Sequence, residues 1–599
     1  MNLHPRGLVF LLIASTNATA AGEGSDVLSL LNLPLNDLIN IKVQSASLTG
    51  ATQGDAASWV SVIDESDWRN NGARRLFDAL QLQPATLSIP YVGGGEAVAI
   101  RGYSSTNSHL GVALLLDGIP LTDFAYGSPM LVTPNIPLFA LTSIEYTEGA
   151  GSALHGSDAF HGVIGLNSFE PTHHGNTFMA TAGSNSYYEA GIRGGDDISE
   201  QLSASVTAAA NGQSDQNLDY QTRNPANGAA LSGERDMRFA TGAFIAHLNQ
   251  HVDSNSFQLS VYQLRYDAWG QPGVGPRLAR SNDQGEETTT LQMLRASGVH
   301  HFSSTGSSEI HAYLWQQDNA LHLNQELNQG QNQDAINAIQ TQATDQHRYG
   351  LQILLKDELP TLNTRWAIAL ARDELGIDDA QAQLRTVDGS ILFAGVSAVN
   401  NQTRTIDSAT FEADSALFET HWHSIVGARL DNYSDFGHQF SPRFGLIYHP
   451  RPQDALKLIY SEAFRAPTAG ELYGSSSSIK SNPTLSPEII HNHEAIWLHQ
   501  DEKHSTQLSV FQSFWRDGIM AVGTDVNGIA QYQNQEKSRA IGITAQQEWQ
   551  FKPWKLALEG SWVKSRNQTQ HLDYKAFPAS MLGARIGYHA ASIRSEFYA

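Results

Sequence analysis

A chain of 599 residues ordinarily divides into several soluble domains, unless one very large β-structure takes up most of its length. Cysteine is absent, which excludes disulfides and thiolate metal sites, and the formal charge of -23 argues against a general nucleic-acid or anionic-membrane binder, because both depend on clustered Lys and Arg. A hydrophobic content of 41% and a mildly negative mean hydropathy are unlike a helical membrane protein, yet they suit a barrel whose strands alternate apolar and polar residues.

The chain begins with Arg6, an apolar run over 7–14 and a small-residue stretch over 17–21, the layout of a secretory signal peptide with cleavage near Ala20 or Ala21. That run is too short to cross a bilayer as a helix, and no later stretch reaches the roughly 18 apolar residues such a helix needs. The exported chain therefore stays soluble or spans as a barrel.

Between about 56 and 171 the texture is that of a small α+β unit. Ala73, Leu76, Phe77 and Leu80 fall at i, i+3, i+4 and i+7, the stripe of a short amphipathic helix that Pro84 stops. Strands are expected over 97–101, 112–116, 143–146 and 163–167. The run Val112-Ala113-Leu114-Leu115-Leu116 is apolar without alternation, so both of its faces should be covered, and Asp117-Gly118 supplies a tight hairpin turn.

From about Asn176 onward, strands of alternating character are joined by polar loops. Trp554, Leu556, Leu558, Gly560 and Trp562 share one face and Lys555, Ala557, Glu559 and Ser561 the other. Leu582, Ala584, Ile586 and Tyr588 likewise oppose Gly583, Arg585, Gly587 and His589. This pattern suits tilted strands crossing an outer membrane, with aromatic residues in girdles near their ends. A secreted β-propeller or sandwich would also give many short strands, so alternation by itself leaves both open.

The stretch Ala97-Val98-Ala99-Ile100-Arg101-Gly102, followed by Leu114-Leu115-Leu116-Asp117-Gly118-Ile119-Pro120-Leu121, resembles the paired plug motifs of TonB-dependent outer-membrane receptors. Gly151-Ser152-Ala153-Leu154-His155-Gly156-Ser157-Asp158-Ala159-Phe160-His161-Gly162-Val163-Ile164 is similar to the segment that closes the family's plug. In the second half, Phe464-Arg465-Ala466-Pro467, Glu471-Leu472-Tyr473 and Asn482-Pro483-Thr484-Leu485-Ser486-Pro487-Glu488 resemble a recurrent signature of its barrels, and Arg516-Asp517-Gly518-Ile519 with Ala540-Ile541-Gly542-Ile543 resembles the strands that follow. The likeness runs from about residue 35 nearly to the end, in texture rather than in motifs between 180 and 430. Two departures stand out. The family usually carries Arg-Gly-Pro where this chain has Glu148-Gly149-Ala150, and Arg where it has Ser143, so the plug's lock on the barrel wall or its ligand should differ. The chain also stops at Phe597-Tyr598-Ala599, without the last strands and terminal aromatic residue that close such barrels, so it is expected to be C-terminally incomplete or to close in an unusual way.

The resemblance implies an all-β transmembrane barrel of about 22 antiparallel strands, the last of them missing here, with an N-terminal α+β plug domain inside its lumen. It divides the chain into a signal peptide (1–20), a periplasmic leader (21–55), the plug (56–171) and the outer-membrane barrel (172–599). It further implies TonB-dependent active uptake of a scarce nutrient at the bacterial cell outer membrane, first among them a ferric siderophore or related metal chelate. Cobalamin or haem uptake, and a surface receptor or adhesin that binds without transporting, are the alternatives. A passive porin is hard to square with the plug motifs. The partners implied are TonB with its inner-membrane energising complex, a small-molecule ligand, and outer-membrane lipid and lipopolysaccharide; no nucleic acid is expected. Ile41, Lys42, Val43, Gln44, Ser45 and Ala46 form the candidate TonB box, since an alternating extended peptide can add as an edge strand to a partner sheet. A disordered or plug-attached linker is the competing reading.

Motif position places ligand contact on the outward plug loops, with Tyr103, Asn107, His109, Asp123 and Tyr126 as candidate binding residues, although each alone reads more readily as loop decoration. Arg101 is expected to be structural, a guanidinium bridging plug and barrel carboxylates. His421 with His423, and His491 with His493, place two imidazoles on one face of a strand, a pairing able to bind a transition metal or haem iron. Lumen or girdle histidines are the ordinary reading, and the haem receptors' histidine between the Phe-Arg-Ala-Pro and Asn-Pro elements has no counterpart over 469–481. No metal site or cofactor is therefore assigned. No nucleophile elbow, zinc-protease helix or phosphate loop occurs, and no enzymatic activity is expected.

Overall fold

The computed structural model describes residues 43–598 apart from 44, 91–95, 103–109, 128–134, 172–174, 224–229, 270–284, 328–335, 387, 397–398, 400, 418–420, 475–478, 524–528, 575–576 and 591–592. The plug starts with β1 (Trp59–Asp64), an element the apolar pattern had not suggested. Asp64 then caps α1 (Glu65–Asn70): its Oδ1 accepts from Asp67 N at 2.9 Å while Asp67 Oδ2 accepts from Asp64 N at 3.2 Å, a reciprocal pair that satisfies two otherwise orphaned donors. The amphipathic stripe forms α2 (Leu76–Leu80), which buries Leu76, Phe77, Ala79 and Leu80. A hairpin of β2 (Thr86–Pro90) and β3 (Glu96–Ile100) follows.

The main plug sheet has the order β1-β6-β7-β4-β5, with β4 (Val112–Leu116), β5 (Ile119–Pro120), β6 (Leu141–Glu148) and β7 (Gly162–Ser168). Every residue of β4 is buried, as its unalternating sequence requires, and it pairs in parallel with β7. Between β4 and β5, Asp117 and Gly118 both adopt positive φ, +48° and +81°, the turn for which Asp-Gly is suited. The short helix α3 (Ser152–His155) links β6 to β7.

The rest of the chain closes into one barrel of 22 strand segments among the described residues. Three of them, Ile391–Val396, Ile479–Lys480 and Leu572–Asp573, are short flaps beside longer neighbours. The strand Ile593–Tyr598 lies beside Gly175–Ala182, so the sheet is continuous around the lumen. Connections at one rim are tight turns, such as 253–254, 452–453 and 552–553, whereas those at the other run long, as between Trp269 and Glu286. In outer-membrane barrels the short turns face the periplasm, which orients the molecule.

Alternation along the strands sorts residues by environment. In Trp554–Asn567 the side chains of Trp554, Leu558 and Trp562 are exposed, and Ala557, Glu559, Ser561 and Val563 are buried. Phe178, Leu370, Leu458, Val510 and Leu582 are more than half exposed on the outer face, an apolar belt with no protein to cover it. No helix of the described residues is long and apolar enough to cross a membrane. The plug core is continuous with the barrel wall: Trp68, Leu80, Leu116, Tyr146 and Ile164 belong to one buried cluster with Ile245, Tyr262, Leu291, Met293 and Trp315 of the barrel.

Candidate functional site

At the periplasmic end the chain enters the structure pressed against plug and wall. Of the candidate TonB box, Ile41, Lys42 and Gln44 lie outside the described residues. Val43, Ser45 and Ala46 are buried. Val43 N donates to Ala51 O at 3.1 Å, Ser45 N to Glu145 Oε2 at 2.8 Å, and the His155 ring nitrogen Nε2 sits 2.6 Å from Ser45 O. Burial drives the His155 pKa down to about 4, so the ring is neutral and Nε2 donates to that carbonyl. The next residues are gripped by the barrel: Glu412 Oε1 accepts from Ser47 Oγ at 2.6 Å and Leu48 N at 3.0 Å, Arg443 Nη2 donates to Ala46 O at 2.9 Å, and Lys457 Nζ donates to Gln53 O at 2.7 Å and Ala56 O at 2.9 Å. The described part of the box is thus an attached segment, and pairing with another sheet requires these bonds to release.

Deeper in the lumen Arg101 joins the two halves of the molecule. Its Nε donates to Glu148 Oε2 at 2.8 Å on β6, and its Nη1 and Nη2 donate to both carboxylate oxygens of Glu494 on the barrel strand Glu488–Gln500, the Nη1 bond being 3.1 Å. The guanidinium also lies 4.5 Å from the Phe511 ring centroid. Glu148, which stands where the family usually has Arg, is fully enclosed; burial pushes its pKa up to about 7 against the pull of Arg101. Its Oε1 has no hydrogen-bond partner among the described residues. Arg101 and Gly102 both hold positive φ, +54° and +84°, and a Cβ on Gly102 would collide with Val563 Cγ1 of the wall. This bend seats the plug against the barrel at a position only glycine fits.

At the outward end, Asp123 and Tyr126 fall on one loop, while Tyr103, Asn107 and His109 lie outside the described residues. Asp123 is only 1% exposed and caps its own turn, with Oδ1 accepting from Tyr126 N at 2.6 Å. Burial, with Asp123 adding to it, pushes the Tyr126 phenol up to about 12. The loop is held by the barrel: Gln346 Oε1 accepts from Phe124 N and Ala125 N at 3.0 and 3.1 Å, and Ala469 N and Gly470 N of α4 (Ala469–Tyr473) donate to the carbonyls of Phe124 and Ala125. Asp123 as placed is therefore a structural carboxylate with little surface to offer a ligand.

Around this loop the wall contributes four guanidiniums, three of which the sequence patterns did not reveal. Arg404 stacks over Phe124 at 4.6 Å and donates to Asp435 and to Pro467 O; Arg348 donates to Asp373 at 3.0 Å; Arg429 donates to Asp431 at 2.8 Å and to Leu154 O at 3.1 Å. Arg465, in the Phe-Arg-Ala-Pro element, makes paired bonds to Glu471 and Glu488 between 2.7 and 3.0 Å. Each charge is matched by a carboxylate, so the network fixes geometry and leaves no bare cation. One cavity between this loop and the wall has a volume of about 40 Å³, room for a water molecule or two. A signal for these residues did exist, namely charged side chains in lumen phase, but the pattern does not say which carboxylate, 2 to 31 residues away, each one meets. His491 and His493 stand out of phase with the buried Asn492 and Glu494, on the outer face. His423 faces Asp414 and His449, and His421 is exposed.

Comparison with known proteins agrees with this architecture. Residues 52–163 match the TonB-dependent Receptor Plug Domain, and residues 165–592 match the TonB dependent receptor-like, beta-barrel family. The vitamin B12 transporter BtuB of Vibrio cholerae is 23% identical over 435 residues, covering 72% of this chain and 62% of its own length. The iron-regulated outer membrane virulence protein of the same species is 23% identical over 511 residues, 81% of this chain and 70% of its own. The chain thus spans less than two thirds of the BtuB relative. Among solved structures, the siderophore receptor PirA of Acinetobacter baumannii superposes with a TM-score of 0.68 at 15% identity, covering 89% of this chain and 84% of its own. The ferripyoverdine receptor of Pseudomonas aeruginosa superposes with 0.72 at 14%, covering 92% and 76%. With a plug model and a barrel model matched in order along nearly its whole described length, the chain belongs to the TonB-dependent receptors, β-barrel proteins of the bacterial outer membrane.

Proposed function

We propose that the protein is a TonB-energised transporter that carries a scarce metal chelate of the ferric siderophore class from the outside to the periplasm. The observation that carries this reading is the seated plug. Its outward loop is bonded to the wall through Gln346 and α4, so a ligand passes there only if the plug shifts. That shift breaks buried charge pairs and needs work, while the leader, gripped at Ser47 and Gln53 just beyond the candidate box, is placed to deliver a pull. The chelate class is supported by the siderophore receptors among the structural neighbours. Cobalamin stands second, on the likeness to a vitamin B12 transporter. The apolar outer belt supports contact with outer-membrane lipid and lipopolysaccharide. We assign the protein no reaction.

The test is uptake of radiolabelled ferric siderophores, haem and cobalamin by cells carrying the protein, with and without TonB, and with Ile41→Pro, a change N-terminal to the packed residues. Uptake of one ferric chelate that is lost in both backgrounds, with surface binding retained, is the expected result. Uptake indifferent to both, or binding without uptake, contradicts the proposal.

A further inference from the structure

Three side chains at the periplasmic rim, His423 and His449 among them, gather into one group. Asp55 follows the gripped leader, His423 begins the strand Trp422–Tyr433, and His449 ends the neighbouring strand Gly437–Arg451. One ligand atom from each lies within 4.8 Å of the others. His449 Nε2 is 3.0 Å from Asp55 Oδ1, close to the roughly 3.3 Å edge of a tetrahedron with ~2.0 Å metal–ligand bonds. The His423 and His449 rings meet edge to face at 5.5 Å.

The surroundings orient these groups as ligands. His449 Nδ1 lies 3.1 Å from the carbonyl of Asp454 and donates to it, which turns Nε2 toward the Asp55 carboxylate. Here the two groups are hydrogen-bonded to each other, and a metal ion bound between them would take the place of the proton they share. His423 Nδ1 points at Asp414 Oδ1, 3.5 Å away, leaving its Nε2 for the group and giving it a carboxylate partner behind the ring. Two imidazoles and a carboxylate with a fourth position open to water make a donor set suited to zinc or a similar divalent transition ion. The three side chains are 19 to 25% exposed, so an ion and its water have access. Both histidines sit on paired strands of the wall, and only Asp55 belongs to the plug side.

We propose that Asp55, His423 and His449 bind a zinc-class divalent metal ion that clips the start of the plug to the barrel at its periplasmic rim. The clip lies beside the Lys457 bonds to Gln53 and Ala56, on the stretch that a pull on the leader loads once the bonds at residues 45–49 have released. Its effect on transport rests on the energy-coupling proposal above; the binding of metal does not.

The experiment is calorimetric titration of the full-length, detergent-solubilised, chelator-stripped protein with zinc chloride. Asp55→Asn, His423→Gln and His449→Gln should each lose one equivalent or weaken it at least tenfold, whereas His311→Gln, elsewhere on the barrel, should not. Anomalous diffraction from wild-type crystals soaked in zinc, which depends on no variant, should place a peak among the three residues. Equal stoichiometry and affinity in wild type and His449→Gln, or zinc peaks only elsewhere, overturns the proposal. Zinc binding lost together with unaltered chelate uptake leaves the site standing and removes only its mechanical role.

Discussion

Replacing Arg101 with methionine deletes the one cation between Glu148 and Glu494 while keeping a side chain of similar reach. The three side chains are 6, 0 and 1% exposed, so water cannot take the place of the guanidinium. Breaking a buried pair of this kind costs about 3–5 kcal/mol, because a buried charge is left without compensation. Two carboxylates would then share the site, and Glu148, already poised at about 7, would take up a proton. Adding Glu148→Gln to Arg101→Met removes one of the two carboxylates and should recover about 1–2 kcal/mol, since the neutral amide needs no counter-charge. Hydrogen exchange of the amides of β3 and β6, followed by mass spectrometry in detergent, reads the opening of the plug at this seam. At about 1.4 kcal/mol per factor of ten, Arg101→Met should speed exchange there roughly 100-fold or more, and the double variant should fall back by about tenfold. Exchange that rises less than tenfold in the single variant, or is identical in the two, would refute the view that this cluster locks the plug.

Other consequences follow from the same seams. Gly102→Ala introduces a Cβ against Val563 at a positive-φ position, so the plug should be protected less from protease while heat resistance of the barrel, read by gel mobility, stays within a few degrees. His155 is held neutral with its pKa near 4, below its ordinary value, so its contribution to docking the leader is complete above about pH 6.5 and is lost as pH falls toward 4. Arg429, Arg443 and Glu412 also face this ring. Lowering pH from 7 to 5 should raise cleavage of the leader by an added protease roughly tenfold, and His155→Phe should flatten that profile. Glu148 works in the opposite sense. Its raised pKa means the docked plug loses stability as pH rises from about 4.5 to about 7, on the order of 3 kcal/mol in all, and Glu148→Gln should abolish that slope in β6 exchange. Glu412→Ala leaves Ser47, Leu48 and Thr49 without their shared acceptor, and should expose the leader to protease at every pH.

The parts of the fold that could be read from sequence are those fixed by local periodicity. The unalternating β4, the stripe of α2, the Asp117-Gly118 turn and the in-and-out phase of Trp554–Asn567 all appear where their residues put them. β1 escaped because Trp59-Val60-Ser61-Val62-Ile63 is short and flanked by polar residues, and its meaning comes only from pairing with β6, some eighty residues on. That Ile593–Tyr598 lies beside Gly175–Ala182 could not be read from either strand alone. Arg101 was legible as a bridging residue through its motif, but Glu494 as its partner was not, because nothing local in a strand says which lumen group faces it across the plug. For the same reason the sequence does not show that Asp123 caps its own turn beside α4. The departure at Glu148 was visible as a lost positive charge; that it forms a second carboxylate on Arg101 needed the register of β6.

The account turns on the plug having to move. An ideal Cβ at Gly127 lies 3.6 Å from Thr468 Cβ, within the range a disulfide spans, and the chain contains no cysteine of its own. Cells carrying Gly127→Cys with Thr468→Cys, oxidised to tie the plug's outward loop to the wall, should bind the transported chelate and fail to take it up, and a reductant should restore uptake to the level of the single variants. Uptake that continues unchanged with the cross-link verified on a gel would contradict the account.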